Sequence, residues 1–168
     1  LSYRIEYIPD MGELSRPNAA AAKVSADRAT FVQADLFETD FSKANVVTLF
    51  LLPSINMKLR DKILAMAPGT RVVSYQFTMA EWEPDQLIRG PTWNAYLWIV
   101  PAKVGGTWKL PQGELTLKQT FQMITGTLKN GNAATQVIGK LNGDQITFTA
   151  GNVQYSGRVS GNSMEGTA

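Results

Sequence analysis

The chain has 168 residues, room for one domain of ordinary size or two small ones, and its 44% apolar content supports a packed core rather than disorder. Sixteen Lys and Arg against fourteen Asp and Glu leave a net charge of +2, too weak a field to draw a nucleic acid. There is no Cys and no His, which excludes disulfides, thiolate and imidazole metal sites, and Ser-His-Asp hydrolysis.

Tyr3 to Ile8 alternates apolar and polar residues and predicts a short strand. Asp10 followed by Glu13 predicts a helix start, with the helix running to about Ala22 and bent or shortened at Pro17. Thr30 to Ala34 predicts a second strand. Val46 to Leu52 predicts a third, apolar on both faces as in a parallel strand covered by helices. The run Val46 to Pro53 is the longest apolar one, far short of the roughly 18 to 20 residues that cross a bilayer, so no membrane span is expected. Ile55, Leu59, Ile63 and Met66 recur at helical spacing, Pro68-Gly69 ends that helix, and Arg71 to Phe77 is a fourth strand. Strands alternating with helices imply βαβ units and a mostly parallel sheet.

Composition changes near Gly90. Three glycines (Gly12, Gly69, Gly90) precede it or stand at it, and the other eleven follow. Glu83 to Thr92, with two prolines and a glycine, reads as a connection between an α/β part (1–90) and an antiparallel β extension (91–168). Strands are expected at Trp93–Val100, Thr107–Leu110, Leu115–Gln122, Ile124–Lys129, Thr135–Leu141, Gln145–Thr149, Val153–Val159 and Ser163–Thr167. Asn130-Gly131 and Asn142-Gly143 are hairpin turn signals, because both central positions tolerate positive φ. A meander is expected, as a small barrel or an extension of the first sheet. Leu115, Leu117, Gln119 and Phe121 share one face, and Glu114, Thr116, Lys118, Thr120 and Gln122 the other. No strict repeat is visible.

The block from Ala26 to Asp85 carries Q-A-D-L-F at a strand end, an apolar strand running into L-P-S, a K-L-R helix, P-G-T-R-V-V-S, and W-x-P. It resembles class I, seven-strand S-adenosylmethionine-dependent methyltransferases, and within them bacterial methyltransferase-domain proteins related to protein-lysine methyltransferases. The resemblance implies a partial Rossmann-like sheet, S-adenosylmethionine as cofactor, no metal, and a protein or small amine as acceptor. It implies that Glu6 takes the cofactor's ribose hydroxyls and that Asp35 takes the adenine amino group, with Leu36 and Phe37 against the ring. Asp35 reads equally as the cap of the turn that follows it. Leu52 and Pro53 would line the methyl donor. Trp82 would cover the acceptor's ammonium, with plain packing as its other reading, and Tyr75 and Glu81 are candidates to receive the acceptor's proton.

The family's glycine-rich first turn has no counterpart here, and Ile8, Gly12, Pro17 and Lys23 depart from the family's pattern, Lys23 standing where glycine is usual. The expectation is therefore a methyltransferase fragment that binds cofactor weakly or not at all and is unlikely to act alone. The alternatives are a non-catalytic β-rich binding module and a strand-exchanged dimer or other homo-oligomer. The cytoplasm is the default location, with export of the parent protein as the alternative.

Overall fold

The computed structural model describes residues 2–7 and 9–168, and its contacts divide the chain into two compact units, Leu1–Phe41 and Ser42–Ala168. The expectation about Ile8 lies outside the described residues.

In the first unit β1 (Ser2–Glu6) and β2 (Ala29–Gln33) pair in parallel, with Glu6 opposite Gln33. Parallel strands need a crossover, and α1 (Pro9–Ala21) supplies it. The helix starts at Pro9, so Asp10 sits in its first turn, where its charge suits the helix dipole, rather than ahead of it as a cap. It also runs through Pro17 without ending there. It stops at Lys23, which takes φ +56°, while the N–H groups of Lys23 and Val24 donate to Ala20 O and Ala19 O. That pair of bonds is a Schellman cap.

The second unit opens with β3 (Val46–Leu49), α2 (Pro53–Leu64) and β4 (Arg71–Tyr75), a second βαβ unit with β3 and β4 parallel. Pro53 stands at the start of α2, where a missing N–H costs nothing. Leu59, Ile63 and Met66 are buried as their spacing predicts. β5 (Gln86–Arg89) and β6 (Asn94–Ile99) join antiparallel, in the order β3-β4-β6-β5.

Two expectations change here. The segment Glu83 to Thr92 is not only a connection, because it contains β5. Moreover, β3 is the terminal strand of its sheet, so Val46 is 44% exposed and Phe50, just past it, 74%. The compositional change at Gly90 does not coincide with a change of sheet, since β5 and β6 belong with β3 and β4.

The second sheet is a meander in strict chain order: β7 (Gly106–Leu110), β8 (Gly113–Thr120), β9 (Met123–Asn130), β10 (Ala133–Asn142), β11 (Gln145–Ala150), β12 (Val153–Ser160) and β13 (Ser163–Thr167). Leu115, Leu117, Ile124, Leu128, Val137, Leu141, Ile146 and Phe148 face inward and are buried, each contributing about 1.5 to 3 kcal/mol. The sheet curls into a half-barrel, and recurring glycines explain how. In Ile124-Thr125-Gly126-Thr127-Leu128, Val137-Ile138-Gly139-Lys140-Leu141 and Tyr155-Ser156-Gly157-Arg158-Val159 the glycine lies between two inward apolar residues. A methyl group there would strike the neighbouring strand's carbonyl oxygen, that of Thr116, Thr147 or Glu165. Glycine permits this close approach and the tight bend.

The two sheets of this unit meet at the β8–β9 turn. Phe121 takes φ +53° there and stacks on Trp82 at 5.8 Å, and the Arg60 guanidinium lies 5.3 Å from its ring centre. Gln122, expected on the outer face, is buried instead and donates to Glu83 O at 2.8 Å. β8 has already ended at Thr120, so the alternation no longer governs it.

Candidate functional site

The expected site residues form two groups, one in each unit. In the first, the parallel pairing of β1 and β2 brings Glu6 and Asp35 to the same end, because Asp35 lies two residues past Gln33. The Glu6 side chain is 25% exposed and sits 3.6 Å from Arg4 Nη2. It borders a cleft of about 110 Å³ shared with Glu13, Arg16, Phe31 and Gln33. Drug-sized ligands occupy pockets of roughly 300 Å³ or more, so this cleft suits only part of a nucleoside.

Asp35 Oδ1 accepts the Phe37 N–H at 2.8 Å, and its carbonyl accepts from Thr39 N–H and Oγ1 at 2.9 and 2.6 Å. The capping reading of Asp35 is therefore present in the structure. The turn uses Oδ1 alone, which keeps the adenine role compatible with it. Leu36 is half-buried and Phe37 is 41% exposed.

In the second unit Leu52, 61% exposed, stands at the N-cap of α2 and uses no side-chain cap bond, while its carbonyl accepts from Ile55 and Asn56. Pro53 follows. Tyr75 ends β4 on the same side of the sheet, 40% exposed. Below them Asn56 Nδ2 donates to Ser74 Oγ at 3.2 Å and to Thr78 O at 3.4 Å, tying α2 to β4 and the loop after it.

For Trp82 the packing reading holds and the substrate-contact reading is corrected. Its ring has no accessible surface, being stacked on Phe121 and tilted against Trp98, whose Nε1–H donates to Trp82 O at 2.7 Å. A ring enclosed in this way packs the interior and offers no face to a substrate. Glu81 is likewise unsuited to take a proton. Arg60 Nη1 lies 2.7 Å from it and holds its carboxyl below the usual range, chiefly through that hydrogen bond.

The sequence reading missed Phe50 and Trp93. Phe50 meets Tyr75 edge-on, with centroids 5.3 Å apart at 72°, and Trp93 stacks on Tyr75 at 6.1 Å and 24°. Phe50 reads as core because it lies inside an apolar run. The available signal was its place one residue past a parallel strand, where open α/β sheets bind ligands.

The family description "ANTKMT methyltransferase domain" matches residues 2–86. The chain belongs to this family. The match spans Glu6, Asp35, Leu52, Pro53 and Tyr75 and stops short of Trp93. A protein-lysine N-methyltransferase from Saccharolobus islandicus (strain REY15A) is 40% identical over 78 residues, 44% of this chain and 48% of that protein. The chain thus spans about half the length of the curated relative it matches. A crystal structure of an RNA methyltransferase from Salinibacter ruber, in complex with S-adenosyl-L-homocysteine, is similar with a TM-score of 0.58 and 45% identity. That likeness covers 61% of this chain and 67% of the other. The ANTKMT-family chain is accordingly a class I methyltransferase domain, a family whose cofactor is S-adenosylmethionine. The α/β expectation holds for the two βαβ units, and the rest of the chain is the antiparallel half-barrel.

Proposed function

We propose that this chain carries the adenosine-binding and acceptor-facing parts of an S-adenosylmethionine-dependent methyltransferase that modifies a protein lysine. One observation carries the reading: Glu6 and Asp35 lie at the same, carboxyl end of the parallel pair β1 and β2. Carboxylates at that end suit ribose hydroxyls and an adenine amino group, both hydrogen-bond donors. When bound, the cofactor supplies an electrophilic methyl group on sulfur. Glu6 and Asp35 orient its adenosine end, and the exposed Leu52 and Pro53 are the residues proposed to line the methyl donor. A lysine amine has an ordinary pKa near 10.4 and must be neutral to attack. With Glu81 engaged by Arg60, that proton leaves to water.

The lysine acceptor is favoured by the curated relative, and an RNA acceptor is the competing outcome because of the Salinibacter neighbour. Among the described residues, no helix is long and apolar enough to cross a membrane.

Saturation-transfer NMR with S-adenosyl-L-homocysteine tests the cofactor half and detects weak as well as tight binding. Adenine proton signals are expected. Asp35→Ala should weaken binding about fivefold or more, the cost of one hydrogen bond to a buried partner, while Glu38→Ala should not. Undiminished signals in both variants would remove Asp35 from the site. For the acceptor half, labelled methyl transfer to a lysine-containing protein is expected to vanish once those lysines are acetylated. Label appearing on RNA instead would overturn the lysine reading.

A further inference from the structure

We infer that Phe50, Tyr75 and Trp93 form a binding site for an alkylammonium group, with methylated ammonium preferred. The three rings gather at the carboxyl end of β3 and β4, where Phe50 follows β3, Tyr75 ends β4 and Trp93 precedes β6. Their arrangement is built rather than incidental. The Trp93 indole lies so close over Gly90 that any side chain there would overlap it. Gln76 takes φ +69°, a costly conformation for a residue other than glycine. In that conformation its N–H donates to Asn94 O at 2.8 Å and its Oε1 accepts the Asn94 N–H at 2.7 Å. These two bonds fasten the end of β4 to the start of β6 and so fix Tyr75 relative to Trp93.

The chemistry of the occupant follows from the ring geometry. Phe50 stands at 72° to Tyr75, whereas Trp93 is within 24° of it, so the rings make a corner rather than a platform. A flat base cannot lie on both walls of such a corner, but a rounded cation can touch both. Aromatic faces carry negative electrostatic potential and attract quaternary ammonium most effectively, because methyl groups weaken its hydration. Phe50 is 74% exposed and Tyr75 40%, so both side chains are within reach of a ligand from solvent. The role of this corner as the acceptor's subsite rests on the methyltransferase reading, while the binding itself does not.

The test is a titration of the 168-residue chain with choline and with its uncharged isostere 3,3-dimethylbutan-1-ol. The indole Nε1–H resonance of Trp93 reports contact, and those of the buried Trp82 and Trp98 serve as controls. Choline is expected to shift Trp93 saturably, with the alcohol roughly two- to fivefold weaker, the ratio that an exposed cation–π contact gives. Phe50→Leu, at an exposed position, keeps the apolar surface but removes a π face, and should weaken choline about twofold. Equal affinity for the two compounds, no shift at all, or a stronger response to adenosine than to choline would each overturn the inference. A chain that binds S-adenosyl-L-homocysteine but not choline overturns this inference alone. One that binds choline but not S-adenosyl-L-homocysteine overturns the adenosine-site reading of this chain and leaves the cation site standing.

Discussion

Lys23 sits in the left-handed region at φ +56°, where an L side chain crowds its own carbonyl, at a cost of about 1 to 2 kcal/mol. The Schellman bonds to Ala20 O and Ala19 O hold it there regardless. Lys23→Gly relieves the crowding and should raise stability by about 1 kcal/mol, less the entropy that glycine gives the unfolded chain. Thermal unfolding of the two proteins checks this, and a lower midpoint for the glycine variant would count against the strain. The position was legible in the sequence, because the family resemblance puts glycine there. Trp82 was not. Its burial depends on Trp98 and Phe121, partners distant in sequence, and nothing in the local pattern E-W-E-P announces them. Phe50 erred the other way: apolar neighbours suggested a covered strand, but its exposure follows from β3 being terminal.

Elements with strong local signals were the readable ones. Each strand of the half-barrel was expected within a few residues of its place, because turn residues such as Asn130-Gly131 and Asn142-Gly143 punctuate alternating runs. β5 escaped notice because Gln86–Arg89 is short, exposed throughout and flanked by Pro84 and Pro91. The glycine recurrence escaped notice too, since hairpin lengths vary and only the apolar-x-Gly-x-apolar core repeats. β3 and β4 differ in a measurable way. β4 is paired on both sides and buries Val72 and Ser74, while β3 is paired only to β4. Amide exchange in Val47–Leu49 should therefore be faster on average than in Val72–Ser74. Equal protection in a monomer would show that another strand covers the outer edge of β3, and in a dimer it would point to strand exchange between copies.

At the scale of the molecule, Asp85 ties the approach to β5 onto the neighbouring strand β6, within the first sheet of the larger unit. Its carboxylate accepts the Ile99 N–H at 2.7 Å, and burial outweighs that bond and the Lys140 charge to push its pKa above 3.8. The folded chain then holds this proton more tightly than the unfolded one, so the group's contribution to stability falls as pH rises from about 3.8 through the raised folded value. Asp85→Asn keeps an acceptor for Ile99 and removes the charge. The difference in melting temperature, variant minus parent, should grow more positive from about pH 3 to pH 7. Calorimetry across that range decides it; a constant difference, or a variant less stable only at neutral pH, would dismiss the burial penalty.

The strict chain order of β7 to β13 also bears on how the protein is made. Every rung of this sheet joins strands that are consecutive in the chain. Such contacts are local, and local contacts close quickly because little chain entropy is lost in forming each one. A chain leaving the ribosome amino end first can zip each hairpin onto the last as it emerges, with no partner to await from downstream. Throughout synthesis the open edges are that of β7 and that of the newest strand, and the growing half-barrel covers its apolar face one rung at a time.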